Sequence, residues 1–249
     1  MRILFINPNT TAEFTTRIQT VAEQYRLPST EVVALNPERG PRSIECVYDE
    51  MLSVPGTIEI GIRELEQADG IAIACYSDHA GIYALRELGH SPVLGIAEAS
   101  MYMACMLGHR FSIVTTGESW LPLLWDAVRR YGLESRCASV RTTHLSVLDQ
   151  EEASPADVTQ LILDESRRAL DEDGAEVICL GCASMTGMDK ELEEVLGVPV
   201  LDGVICALKL LEAFAGYGLK TSKRRAYALP TYQPLDGLPQ RFEDMYGRP

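Results

Sequence analysis

The sequence predicts an α/β protein of two pseudo-symmetric lobes, each a parallel-type sheet flanked by helices, with the active site in the cleft between them. Three observations lead there. Short apolar runs alternate with longer segments of helical periodicity along the whole chain. The short runs are apolar throughout rather than alternating, as in strands covered on both faces. The order of the runs also repeats once, about one hundred residues on, which is the size of a single domain.

The elements follow in order. The first strand is expected at 2–6, R-I-L-F-I, and a helix at 11–25 can be capped by Thr10 or Thr11. A strand at 31–35, a helix at 45–68 and a strand at 70–75 come next, then a helix at 79–89 and a strand at 92–96. A helix at 97–108 would carry the chain into the second lobe, which opens with a strand at 110–115 and a helix at 118–131. A strand at 139–145 precedes a helix at 154–173, started by Ser154-Pro155, since proline suits the first helical position. The series closes with a strand at 175–181, a helix at 187–196, a strand at 198–201 and a helix at 203–216. Gly132, Gly174 and Gly197 fall just after helical runs, where a left-handed terminator is wanted.

The repeat matches R-I-L-F-I-N at 2–7 with R-F-S-I-V-T at 110–115, and G-I-A-I-A-C at 70–75 with A-E-V-I-C-L-G-C at 175–182. P-V-L-G-I at 92–96 matches P-V-L-D-G at 199–203. The expected first lobe is 1–97 plus about 203–220, the second is 98–202, and 221–249 is a proline-bearing C-terminal arm. That arm is expected to pack as an extended segment or to mediate subunit contacts, and the basic stretch Lys220 to Arg225 reads as a solvated tail.

A net charge of -14 excludes nucleic-acid and anionic-membrane partners, which need clustered Lys and Arg. Met1-Arg2 runs straight into I-L-F-I, too short for a signal-peptide core, so a cytoplasmic protein is expected. Seven cysteines, an odd number, fit reduced thiols better than a disulfide framework. The histidines at 79, 90, 109 and 144 show no zinc-ligand spacing, and no metal site is expected. With neither G-x-G-x-x-G nor a P-loop, no dinucleotide cofactor is expected either.

Ligands of open α/β sheets bind beyond the carboxyl ends of the strands. There the sequence places Asn7 to Thr11, Cys75-Tyr76-Ser77-Asp78, Thr115 to Glu118 and Gly181 to Ser184, with the loop Pro41 to Glu45 beside them. Taken singly, Cys75 and Cys182 fit buried core thiols. Taken as a pair at repeat-equivalent strand ends, they fit two facing bases, and a helix start after each would lower the thiol pKa. Cys179, inside an apolar strand, makes C-L-G-C a coincidence rather than a redox pair. Cys46, Cys105, Cys137 and Cys206, in helical or loop runs, read as core or surface thiols. Asp78 fits a helix cap as well as a catalytic group, and His79 could polarise a substrate or tune Cys75. Thr115 and Thr116, opposite Asn7 in the repeat, suit substrate hydrogen bonding.

From I-N-P-N-T at 6–10 through P-R-S-I-E at 41–45, S-V-P-G at 53–56, I-A-C at 73–75, G-I-A-E-A at 95–99 and R-F-S-I-V-T-T at 110–116, an ordered motif set accumulates. It continues with D-G-A-E at 173–176, L-G-C-A-S-M at 180–185, V-P-V-L-D-G-V at 198–204 and T-S-K at 221–223. The set resembles the aspartate/glutamate/hydantoin racemase superfamily, and within it the hydantoin and allantoin racemases. The resemblance implies a cofactor-independent two-base racemase and a homo-oligomer. Its catalytic cysteines match Cys75 and Cys182, and ring recognition would fall on Asn7, Ser43, Ile44, Ser77, Thr115, Thr116, Gly181 and Ala183. The chain departs from the family's F-x-D-P-G with Tyr76-Ser77-Asp78-His79-Ala80-Gly81, so His79 is expected to alter the cleft wall; it also has His144 where Asp is expected. The expected reaction is racemisation at C5 of a 5-substituted hydantoin, possibly allantoin. Alternatives are an amino-acid racemase, a cis–trans isomerase or a decarboxylase of the same superfamily, and, from another class, a non-catalytic two-lobed small-molecule binding protein.

Overall fold

A strand whose side chains alternate between two faces can be apolar throughout only if both faces are covered. The computed structural model describes residues 1–247 and shows this in its first strand. Strand β1 (Arg2–Ile6) sends Ile3 and Phe5 into a core shared by both halves of the chain, and Leu4 and Ile6 into a second core on the opposite face. Strands β2 (Glu31–Leu35), β3 (Gly70–Ile73) and β4 (Val93–Gly95) join it in a parallel sheet of order β2-β1-β3-β4. The second sheet repeats the plan. Strands β5 (Phe111–Thr115), β6 (Cys137–Thr142), β7 (Val177–Leu180) and β8 (Val200–Asp202) lie parallel in the order β6-β5-β7-β8.

The helices are α1 (Ala12–Tyr25), α2 (Val47–Glu64), α3 (Ala80–Leu88), α4 (Ile96–Leu107) and α5 (Trp120–Arg130). They continue with α6 (Val147–Glu152), α7 (Pro155–Asp171), α8 (Asp189–Leu196), α9 (Gly203–Tyr217) and the short α10 (Gln240–Glu243). Met101 and Ala104 of α4, with Val204, Leu208 and Leu211 of α9, fill the space between Ile3 and Phe5 of one sheet and Phe111 and Ile113 of the other. Helices α2 and α3 cover the far face of the first sheet through Ile60, Ile82 and Leu85. Helices α7 and α8 cover that of the second through Val158, Ile162 and Leu192. No described helix is long and apolar enough to cross a membrane.

All eight expected strands and the eight expected helices are present. Ser154 caps α7 by accepting from Asp157 N, and Gly132, Gly174 and Gly197 have φ of 72, 73 and 69°. The differences have local causes. Strand β6 stops early because the backbone turns at His144, whose φ is 62°; it also starts two residues earlier than expected, so Cys137 opens a strand rather than lying in a loop or helix. Thr11 occupies the N-cap of α1, but its hydroxyl donates to Arg42 O. Helix α6 is unexpected and is held by a capping box between Ser146 and Asp149. The basic stretch is solvated at Lys220, Arg224 and Arg225 but anchored between them. Thr221 bonds His90 O and Ser91 O, and Lys223 donates to the carbonyls of Arg86 and Glu87 at the end of α3, where a cation meets unpaired carbonyls. Beyond it, Leu238, Phe242 and Met245 share a groove with Ile58, Ile62 and Leu88. The last two residues of the expected arm, Arg248 and Pro249, lie outside the described part.

Candidate active site

In a sheet of order 2-1-3-4 the chain leaves the first and third strands toward opposite neighbours, opening a crevice beyond their carboxyl ends. Asn7-Pro8-Asn9 leaves β1 there and Ala74-Cys75-Tyr76 leaves β3, while Cys182-Ala183-Ser184 follows β7 of the second sheet. With Phe14 of α1, Ile44 and Val147 of α6, these segments enclose a cavity of about 40 Å³. Ties between the two halves hold it closed: Val147 N donates to Glu45 Oε1 at 3.0 Å, Ser119 Oγ to Glu45 O at 2.7 Å and Arg17 to Ser184 O at 2.7 Å.

The two thiols sit in matching surroundings. Ser77 Oγ donates to Cys75 Sγ at 3.4 Å, and Ser184 Oγ lies 3.1 Å from Cys182 Sγ, so each half carries a Cys-x-Ser pair. The expected lowering of the thiol pKa is overturned. Burial pushes Cys75 far up, and the charge of Glu50 pushes it further. Burial also raises Cys182, with the Ser184 hydroxyl and N–H pulling against it. The helix start that should have lowered Cys75 lies at Ala80, and the one after Cys182 is a 3-10 turn of three residues, Ala183–Met185. A negative charge on Cys182 also pushes Cys75 up, so the two thiolates oppose one another.

The structure gathers Asn7, Ile44, Cys75, Cys182 and Ala183 around this cavity. Asn7 Nδ2 is already engaged with Asn9, Thr11 and Thr15, so its side chain fixes the loop that forms one wall. Ser43, Thr115 and Thr116 are buried but do not line it. Thr115 Oγ1 donates to Gly181 O at 2.8 Å, and Gly181 N donates to Val114 O at 2.7 Å, so both backbone groups of Gly181 bond within the sheet. Only glycine fits there: a Cβ would lie 2.8 Å from Ile113 Cγ2, Thr115 Cβ and Val114 O. Ser77 faces a neighbouring cleft of about 340 Å³, lined also by Val47, Glu50, Asp78, Trp120 and Arg130. Among the described residues no cluster of His, Cys, Asp and Glu suits a metal ion.

The sequence pattern that defines the Asp/Glu/hydantoin racemases matches residues 3–211. The chain belongs to that family. It is 43% identical over 243 residues to a hydantoin racemase of Pseudomonas sp. (strain NS671), covering 97% of both chains. Its fold matches allantoin racemase from Klebsiella pneumoniae with a TM-score of 0.92 at 39% identity over 99% of each chain. Allantoin racemase AllR from Pseudomonas fluorescens gives 0.91 at 38% identity, covering 95% of this chain and 100% of that one. Membership places the protein among the isomerases.

Set against the family pattern F-x-D-P-G, the segment after Cys75 takes a different course from the one expected. His79 is not in the cleft wall: it is fully buried and is itself the N-cap of α3, with Nδ1 accepting from Gly81 N at 3.0 Å. Its Nε2 lies 2.9 Å from Ser53 Oγ, which donates to Glu50 O at 2.7 Å. With Nδ1 accepting, the proton sits on Nε2 and His79 donates to Ser53. Asp78 does not cap the helix. Its carboxylate accepts from Tyr83, Tyr131 and Arg130, and the last two come from the second half of the chain. His144 is exposed and meets Glu118 at 3.1 Å. Ser184, Glu50 and Gln150 were missed as site residues. The C-x-S pattern recurs at Cys75, Cys137 and Cys182, so it does not single out Ser184; Glu50 and Gln150 come from helices whose place beside the thiols no local signal gives.

Proposed function

We propose that this protein is a cofactor-independent racemase acting at C5 of 5-substituted hydantoins, allantoin among them, with Cys75 and Cys182 as the two bases. The observation that carries the reading is the pair of serine-bonded thiols at repeat-equivalent strand ends, both facing one cavity. The names of the hydantoin and allantoin racemases it resembles support the substrate class. The C5–H bond breaks as a thiolate takes the proton, and its electron pair moves into the adjacent carbonyl as an enolate. The opposite S–H then delivers its proton to the other face of C5, leaving the thiolate on the second sulfur. A buried, tight site suits this transfer, because fixed dipoles act strongly where water is excluded. Asn7, Ile44 and Ala183 are assigned to ring contact, joined by Phe14, Tyr76 and Val147; Ser43, Ser77, Thr115, Thr116 and Gly181 hold the walls and thiols behind them. The same reading makes the protein a cytoplasmic homo-oligomer.

The test is proton NMR of the wild-type protein in deuterium oxide with L-benzylhydantoin and, separately, (S)-allantoin, alongside optical rotation. Enzyme-dependent loss of the C5–H signal together with decay of rotation is expected for at least one. Folded, reduced protein that exchanges neither would refute the substrate class.

A further inference from the structure

The two Cys-x-Ser pairs look equivalent, but the third group in each is not. On one side Glu50 of α2 lines the same cleft as Ser77; on the other, Gln150 Oε1 of α6 lies 2.8 Å from Ser184 Oγ. Gln150 is buried and its Nε2 donates to Thr143 Oγ1 at 3.2 Å. The hydroxyl between each pair has one proton to give. When the thiols are protonated, neither side carries an added charge: Ser184 can accept from the Cys182 S–H and donate onward to the Gln150 amide oxygen, and Glu50 faces a neutral Cys75.

The chains part when the sulfur is ionised. The serine hydroxyl must then turn to the thiolate, and its own oxygen is left as an acceptor. An amide can rotate and supply an N–H to that oxygen, whereas an ionised carboxylate only accepts. A Cys75 thiolate would therefore set a second negative charge near the Glu50 carboxylate, which no amide can relieve. The remaining charges near the thiols are Glu45 and Arg17, which oppose each other at Cys182. Asp78, Asp126 and Arg130 line the cleft that Glu50 faces.

We propose that the Glu50 carboxylate beside Ser77 and the Gln150 amide bonded to Ser184 make the two thiols unequal, so that Cys182 ionises first and Cys75 keeps its proton. Both are positioning residues, since neither lines the thiol cavity. The proposal rests on the two-thiol reading and adds which sulfur is the base in the free enzyme. The enantiomer whose C5–H faces Cys182 is the one the resting enzyme deprotonates. After that turnover Cys182 is protonated, and the enzyme carries the less favourable Cys75 thiolate until Cys75 regains a proton and Cys182 gives one up.

Site-resolved alkylation tests this without any substrate. The protein is treated with iodoacetamide over a pH series, and modification of Cys75 and Cys182 is followed by peptide mass spectrometry. In the wild type the rate–pH midpoint of Cys182 should lie below that of Cys75. Glu50→Gln should raise the Cys75 rate below its midpoint roughly tenfold, the effect of removing an adjacent like charge, and leave Cys182 within about twofold. Gln150→Glu should slow Cys182, and the double variant should reverse the order of the two midpoints. Glu50→Asp should restore the wild-type order. A Cys75 midpoint that does not move in Glu50→Gln, or a wild type in which Cys75 ionises first, would overturn the proposal. Because alkylation needs no turnover, a shifted order with no racemisation would refute the substrate reading alone.

Discussion

Replacing His79 by Asn tests the account of the segment after Cys75. Asn can still cap α3 by accepting from Gly81 N, but it cannot reach Ser53 as the imidazole does. The substitution removes one buried hydrogen bond, about 1 kcal/mol, and leaves a ring-sized deficit in a site with no exposure, about 1–2 kcal/mol more. A loss of about 2–3 kcal/mol at pH 8 is expected. The pH dependence is the sharper readout. Burial pushes the His79 pKa down to about 4, while an unfolded imidazole titrates near about 6.5. Between those values the unfolded chain binds the extra proton, so this contribution is intact above about pH 6.5 and is lost as the pH falls toward 4. By pH 5 the wild type should have lost about 2 kcal/mol that Asn cannot lose. Urea unfolding followed by circular dichroism at pH 8, 7, 6 and 5 should show the two proteins converging on acidification. Parallel stability–pH curves, or a gap below about 1 kcal/mol at pH 8, would refute the reasoning.

Other substitutions probe the surroundings of the site. Gly181→Ala drives a Cβ to within 2.8 Å of Val114 O, a backbone atom that cannot step aside, and should lower stability by about 1–3 kcal/mol in urea while sharply reducing kcat by displacing Cys182. Lys223→Met removes the donors to the last carbonyls of α3; limited proteolysis after Gly218 should accelerate several-fold while Tm moves little, and unchanged cleavage would contradict the anchoring role. Asp202 caps α9 and accepts from Gly187 N and Thr186 Oγ1, yet burial lifts its pKa to about 6. Its raised pKa makes a contribution that is present below about pH 4 and lost as the pH rises through about 6, so Asp202→Asn should remove that decline from the stability–pH curve.

Much of this was legible because strands buried on both faces write themselves as continuous apolar runs. Ile3 to Ile6 and Val177 to Leu180 each serve two cores, and no polar residue interrupts them. The repeat then aligned Cys75 with Cys182 and set them on one cavity. What failed to read was the use of each small polar residue. Asp78, His79, Thr115 and Gly181 sit where a ligand contact and a structural bond look alike in sequence. Their partners decided between the two: Tyr131 and Arg130 for Asp78, Ser53 for His79, and the β5–β7 junction for Thr115 and Gly181. The thiol pKa values were misread for a related reason, since burial is set by the closed cleft rather than by the residues adjoining each cysteine.

The two-base claim is tested most directly by making Cys75→Ser and Cys182→Ser and following C5 proton exchange of each enantiomer separately in deuterium oxide by NMR. Each variant should lose racemisation, and each should exchange the C5 proton of one enantiomer only, opposite enantiomers for the two variants, because one sulfur remains on one face. Racemisation retained by either variant, or exchange of the same enantiomer by both, would contradict the assignment of Cys75 and Cys182 to opposite faces.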